Sequence, residues 1–293
     1  MLVEPHATSH PSSMPILESE NAPVFPAAVT LVARDADALA QFYVETLGLA
    51  PIASDGTTIT LGADNTGFLN LRRSPTAAPY DPRSAGLFHI AFLLPDRASL
   101  GRWYLGANAA KARFEGASDH RVSEAFYLTD PEGNGIEVYV DRPRAQWPRD
   151  SLGYAMTTGP MALPDLVREA GGGHAIHRLP AGTRIGHVHL QVGDTAKSAQ
   201  FYQNALGMTV THRRPQAEFL SWGGYHHHIG INSWNSRGSA SRDPRMTGLE
   251  SIAFKATRQA IDGLSLSSGV PIGADGSLAI EAPYGLRLSF KVA

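Results

Sequence analysis

Apolar positions along the chain follow two rhythms that recur in a fixed order. Leu31 to Leu49 begins with the alternation of a strand, passes Asp35, and continues with Leu39, Phe42, Tyr43 and Leu47 at helical spacing. Leu190 to Met208 repeats this pattern and shares the block Ala-Gln-Phe-Tyr, with Leu-Gly following at the same distance in both copies. Asp35 and Asp194 suit helix N-caps, because a carboxylate accepts from the free N–H groups of the first turn. Gly48 and Gly207 suit the helix C-termini.

Short β-favouring runs separated by turns come after each helix. Thr57 to Leu61 and Gly67 to Arg72 are examples in the first copy, and Ala217 to Trp222 and His226 to Asn232 in the later one. The repeating unit is therefore βαβββ. Gly86 to Phe92 and Gly248 to Phe254 open two further units, which gives four modules beginning near residues 27, 86, 185 and 248. The pattern predicts an α+β protein with one module pair over 26–141 and another over 185–293. Residues 142–184 divide the pairs. They carry Pro143, Pro148, Pro160, Pro164, Pro180 and the run Gly171-Gly172-Gly173, with room for one short helix from Pro164 to Ala170.

Composition narrows the function. The chain has 293 residues, 43% of them hydrophobic, enough for a substantial core. A balance of 25 basic and 27 acidic residues with no basic run gives no electrostatic reason to expect nucleic acid or an anionic membrane as partner. The absence of cysteine excludes disulfides, thiolate metal sites and cysteine nucleophiles, and fits a cytoplasmic location. Residues 1–25, rich in Pro, Ser and His, lack the apolar core of a secretory signal and read as a disordered tail. No run is long and apolar enough to span a bilayer.

Candidate chemistry lies on strands. His89 and His187 each stand seven residues before a capping Asp, Asp96 and Asp194, so they occupy equivalent positions on the first strands of the second and third modules. Alternation puts His89 and Ala91 on one face, Ile90 and Phe92 on the other. Glu137 lies in a strand after the turn Asp130 to Asn134. Each alone has a plainer reading: a strand histidine is commonly a hydrogen-bonded structural residue, and a carboxylate between Ile136 and Val138 could face solvent. Together the three form a two-histidine, one-carboxylate set, which suits non-heme iron(II) because it leaves open positions for a substrate and O2.

The strings GHVHLQV, SWGGYHHHIGIN and YLTDPEGNGIEVYVDRP resemble those of the vicinal oxygen chelate superfamily, which includes glyoxalase I, fosfomycin and bleomycin resistance proteins and type I extradiol dioxygenases. The strongest resemblance is to bacterial catechol 2,3-dioxygenases, and it covers nearly all of residues 27 to 293. His120, Phe126-Tyr127, Asp130-Pro131, Gly133 and Glu137 are similar to the extradiol signature, with Ser118 standing where that signature prefers Gly or another residue. The resemblance implies His89, Glu137 and His187 as metal ligands, and His120 and Tyr127 as groups that hydrogen-bond substrate or reduced oxygen. His227 matches the acid-base histidine, although Gly223-Gly224 leaves the register open to His226 or His228. Neighbours on a strand cannot all face one cavity.

The order of the modules departs from the family pattern, in which the module supplying the first histidine directly precedes the one supplying the second histidine and the glutamate. Here the His187 module comes after the module of His89 and Glu137. The first module offers Ala28 and Thr30 at the matching positions, and the fourth Ser251 and Ser289, none able to build the site. The expected resolution is a permuted assembly of two cup-shaped mixed sheets: modules two and three form the metal cup, modules one and four a metal-free one.

The resemblance implies an extradiol dioxygenase that opens catechol or a substituted catechol with O2 at a mononuclear Fe(II) site, in aromatic compound degradation. Mn(II) or another divalent first-row ion remains an alternative, and homo-oligomerisation is left open. The competing functions are a glyoxalase I-like isomerase, disfavoured by the single carboxylate, and a non-catalytic binding or resistance protein, which needs no ligand triad.

Overall fold

The computed structural model describes residues 18–151, 153–171 and 178–293. The first module comprises β1 (Val24–Ala33), α1 (Ala36–Phe42), β2 (Ala50–Ser54), β3 (Thr58–Ala63) and β4 (Thr66–Arg73). The second comprises β5 (Gly86–Leu93), α2 (Arg97–Ala109), β6 (Gly116–Asp119), β7 (Ser123–Thr129) and β8 (Gly135–Asp141). A small hairpin, β9 (Arg149–Asp150) and β10 (Gly153–Tyr154), and helix α3 (Leu163–Glu169) lie in the crossing segment. The third module comprises β11 (Arg184–Gln191), α4 (Thr195–Asn204), β12 (Thr209–Arg214), β13 (Ala217–Ser221) and β14 (Ile229–Asn232). β15 (Gly248–Ala256), α5 (Arg258–Ser268), β16 (Leu278–Ala282) and β17 (Leu286–Val292) complete the chain.

Two curled mixed sheets result. One runs β12-β13-β14-β11-β5-β8-β7-β6 and the other β16-β17-β15-β1-β4-β3-β2. Antiparallel seams β5–β11 and β1–β15 join module two to three and module one to four, the permuted pairing expected from the sequence. Within each module the first and last strands pair in parallel, with the helix crossing between them. The fourth module departs from the repeat. It has three strands, because a turn held by Gly273 and Ser277 lies ahead of β16 where the others have a strand.

The Asp35 and Asp194 carboxylates accept from Ala38 and Lys197 N–H and cap α1 and α4 as expected. α1 continues into a π-turn, Tyr43–Leu47, which places the Tyr43 hydroxyl 3.0 Å from buried Asp130 and so locks the first module to the second. Leu31, Leu69, Ile90, Phe92, Ile252 and Phe290 belong to one continuous core that spans both sheets. Ala91 and Leu93, on the opposite face of β5, belong to a separate cluster with Tyr139, so the predicted alternation holds.

The crossing segment is tied down rather than looped out. α3 packs on α2 through buried Leu166, close to the helix expected from Pro164. Trp147, Tyr154 and Met156 cluster with Val122, Phe219 and Tyr225 and roof the cup of the larger sheet. Regular structure also occurs ahead of the expected tail boundary: Glu18–Asn21 forms a 3-10 turn, Glu20 pairs with Arg184, and β1 starts at Val24. Residues 1–17 of that tail, and Gly172 and Gly173 of the glycine run, lie outside the described residues. Among the described residues no helix is long and apolar enough to cross a membrane.

At Gly186 on β11 the Tyr139 side chain reaches over from β8, and a Cβ would lie 1.8 Å from Tyr139 Oη and 2.9 Å from Leu93 Cβ. The β5–β11 register shifts between Ile185 and His187, so this glycine sits where the strand must bend to aim His187. Gly186→Ala is expected to lower stability by about 1–3 kcal/mol through overpacking, read by urea denaturation of the metal-free protein.

Candidate metal centre

Three adjacent strands, β11, β5 and β8, assemble the site. Ala91 on the central strand pairs with His187 on one side and Glu137 on the other, and His89 stands two residues earlier on the same face. A methyl group in the middle of that row leaves room for the three longer side chains to lean together. Their donor atoms all lie within 4.8 Å of one another. Glu137 Oε2 is 2.9 Å from His89 Nε2 and 3.1 Å from His187 Nε2. Donors at right angles, about 2.1 Å from a first-row ion, would be about 3.0 Å apart.

Two further observations fit a cation. His89 Nε2 is enclosed without a hydrogen-bond partner although Glu137 Oε2 is 2.9 Å away, so the two atoms face a common point rather than bonding each other. The electrostatics agree. Burial pulls His187 down to about 4 against the opposing attraction of Glu137, which leaves the ring neutral with a free lone pair. Burial pushes the Glu137 carboxyl up, but the neighbouring imidazoles more than offset this and hold it well below the usual range. An ionised carboxylate only 3% exposed is a buried charge that calls for a partner.

Around this triad lies a cavity of about 290 Å³, small for a ligand pocket. Phe88, Phe219 and Trp234 form apolar walls, and Met156 and Thr157 of the crossing segment also line it. His120 Nδ1 is 2.7 Å from the Thr157 carbonyl, which fixes the proton there, so Nε2 accepts from the Tyr127 hydroxyl at 2.6 Å. Burial pushes the Tyr127 phenol well up, assisted by Glu137, and it stays protonated.

The histidine run is not part of a strand. β14 begins at Ile229, and Gly223 and Gly224, both with positive φ, turn the chain so that His226, His227 and His228 point separately. His228 donates from Nε2 to the Ser19 carbonyl at 3.0 Å. His226 donates from Nε2 to Asp141 at 2.8 Å, leaving its Nδ1 to accept from His227 Nδ1–H, also at 2.8 Å. Only His227 of the three lines the cavity, its ring 4.0 Å from that of His187. The network leaves His227 Nε2 with its lone pair free.

The structure thus gathers His89, Glu137, His120, Tyr127 and His227 on one cavity, with buried His187 against Glu137 and His227, while Ser251 and Ser289 lie in the other sheet. Sequence reasoning missed His189 and His212, both buried and lining the cavity. His189 was within reach, since a residue two along a strand from His187 shares its face. His212 lies on β12, whose approach to the site depends on the curl of the sheet.

The Glyoxalase/Bleomycin resistance protein/Dioxygenase superfamily matches residues 26–138 and 184–259. The chain belongs to this superfamily. Within the superfamily it is 40% identical over 231 residues to Catechol-2,3-dioxygenase of Bacillus subtilis (strain 168), covering 75% of this chain and 78% of that protein. Solved structures show the same fold at low identity. The cppA protein of Streptococcus pneumoniae TIGR4 aligns with a TM-score of 0.56 at 13% identity, over 92% of this chain and 97% of that one. Glyoxalase I of Zea mays aligns with a TM-score of 0.52 at 14% identity, over 93% of each chain.

The buried imidazoles give the superfamily fold a pH liability here. His187 and His228 titrate at about 4 and about 3 in the folded state, both lowered chiefly by burial from an ordinary value of 6.5. The unfolded chain therefore binds protons first as pH falls. Their contribution is intact above about 6.5 and is lost progressively toward 4 and 3. Thermal melts of metal-free protein between pH 7.5 and 4 should show a steadily falling Tm, and a flat profile would contradict the neutral-histidine assignment.

Proposed function

We propose that the chain is an extradiol ring-cleaving dioxygenase acting on catechol or a substituted catechol, with His89, Glu137 and His187 holding a divalent metal, iron(II) in the first instance. The observation that carries this reading is the convergence of those three donors on one point beside a small apolar cavity. Similarity to a catechol-2,3-dioxygenase along most of both chains supports it. Mn(II) or another first-row ion suits the same donors.

Bound there, the ion would supply a chelation point for two vicinal hydroxyl oxygens and redox access to O2. The protein's own residues do the rest. Glu137 contributes one negative charge, so a dication keeps about one positive charge, which a singly ionised catechol neutralises. The free Nε2 of His227 takes the proton from that catechol hydroxyl, and the Asp141–His226 chain behind it keeps the accepting nitrogen turned to the cavity. The Tyr127 hydroxyl, held by His120, marks a polar spot opposite the apolar walls. Phe88, Phe219 and Trp234 hold the flat ring and exclude water. Both atoms of O2 enter the ring-opened product.

An isomerase of the glyoxalase I kind would draw on a second carboxylate, and Glu137 is the one acidic side chain lining the cavity among the described residues.

Metal analysis of anaerobically purified protein, followed by an assay for the yellow ring-cleavage product of catechol, tests the proposal. Glu137→Ala is expected to lose both metal and activity, whereas Ser251→Ala and Ser289→Ala keep both. The reverse pattern would place the site in the other sheet.

His227→Phe is expected to retain metal at wild-type stoichiometry and to slow ring opening by roughly 10² or more. Full turnover in that variant would remove His227 from the mechanism, and loss of the metal would make it a ligand.

A further inference from the structure

Residues of two sequence strings meet on the cavity wall in an arrangement that the proposed mechanism does not use. His189 is 3% exposed and Asn232 fully buried, on the parallel neighbours β11 and β14. The Trp234 backbone N–H donates to Asn232 Oδ1 at 3.2 Å, which settles the orientation of that amide. Asn232 must then present its NH2 group to His189 Nε2, 3.1 Å away, and a nitrogen that receives an N–H carries no proton. A neutral imidazole has one N–H, so the proton of His189 is on Nδ1. That nitrogen has no hydrogen-bond partner among the described residues, and the ring lines the cavity.

The ring is held in place from every side. Phe88, His89, Phe219 and Trp234 surround it at centroid distances of 4.9 to 5.7 Å. Gly230 faces it across β14, and a Cβ there would lie 2.9 Å from His189 Cγ. The glycine clears the space in which the imidazole lies.

We infer that His189 is a substrate-binding residue, a fixed Nδ1–H donor that orients a catechol by hydrogen-bonding one of its oxygens, with Asn232 as the positioning residue that sets the tautomer. It complements His227, whose free nitrogen accepts. The inference rests on the extradiol reading of the site.

The tautomer is tested first, by long-range proton–nitrogen NMR of the metal-free protein. His189 is expected as the neutral Nδ1–H form, and Asn232→Asp, which offers a carboxylate oxygen to Nε2, is expected to move the proton to Nε2. Steady-state kinetics follow on the metal-loaded protein. His189→Phe and Asn232→Asp should keep the metal and raise KM for catechol about tenfold, with a smaller change in kcat. An Nε2–H tautomer in the wild type, or wild-type KM in both variants, overturns the inference while catechol cleavage by the wild type leaves the extradiol reading standing. Absence of cleavage by the wild type overturns both.

Discussion

The antiparallel seam between β5 and β11 is the constraint on which the site depends. In a strand pair every second side chain shares a face, so the register that sends Ile90 and Val188 to the core sends His89 and His187 to the cup. A slip of one residue would put imidazoles among aliphatic side chains and empty the cavity of donors. The hydrophobic core and the candidate donors therefore specify the same register, and the core, with its larger buried apolar surface, enforces it. Ala91 at the centre of the row then decides how closely the donors can meet.

Electrostatics makes that geometry a candidate cation site. Glu137 is ionised, almost fully enclosed, and next to His187, whose ring burial keeps neutral. The enclosed charge costs folding free energy unless a cation joins it, a cost that a metal ion held there would relieve. The outer ring of groups has a different task. Fixed proton positions, on His120 Nδ1, on His227 Nδ1 and on His226 Nε2, set in advance which cavity atoms donate and which accept.

Legibility in the sequence followed the range of the interaction responsible. The strand, cap and helix succession is local, so Asp96 and Asp194 anchored His89 and His187 to equivalent positions, and the lack of donors in the outer modules revealed the permuted pairing. The way Gly223 and Gly224 fan out the three histidines was not legible, because the long-range bonds from Arg144 of the crossing segment to both carbonyls leave no mark in the local sequence. The strand missing from the fourth module was hidden for a similar reason: its turn is held by side-chain and backbone bonds around Asp275 and Ser277 that resemble ordinary loop composition. His189 was readable from alternation alone, but its role depends on Asn232, which only the parallel pairing of β11 with β14 brings beside it.

The permuted pairing also bears on how the protein emerges from the ribosome. Glu137 leaves the exit tunnel 48 positions after His89, and His187 comes a further 50 positions after Glu137, on the far side of the crossing segment. Until then β5 is an unpaired edge with its central donors open to solvent and to other chains. The nascent half carries only two of the three candidate donors, and the set is complete once β11 docks. On the proposed reading, metal capture would be a late event in biogenesis, because a chain that ends before residue 187 lacks one of the three donors.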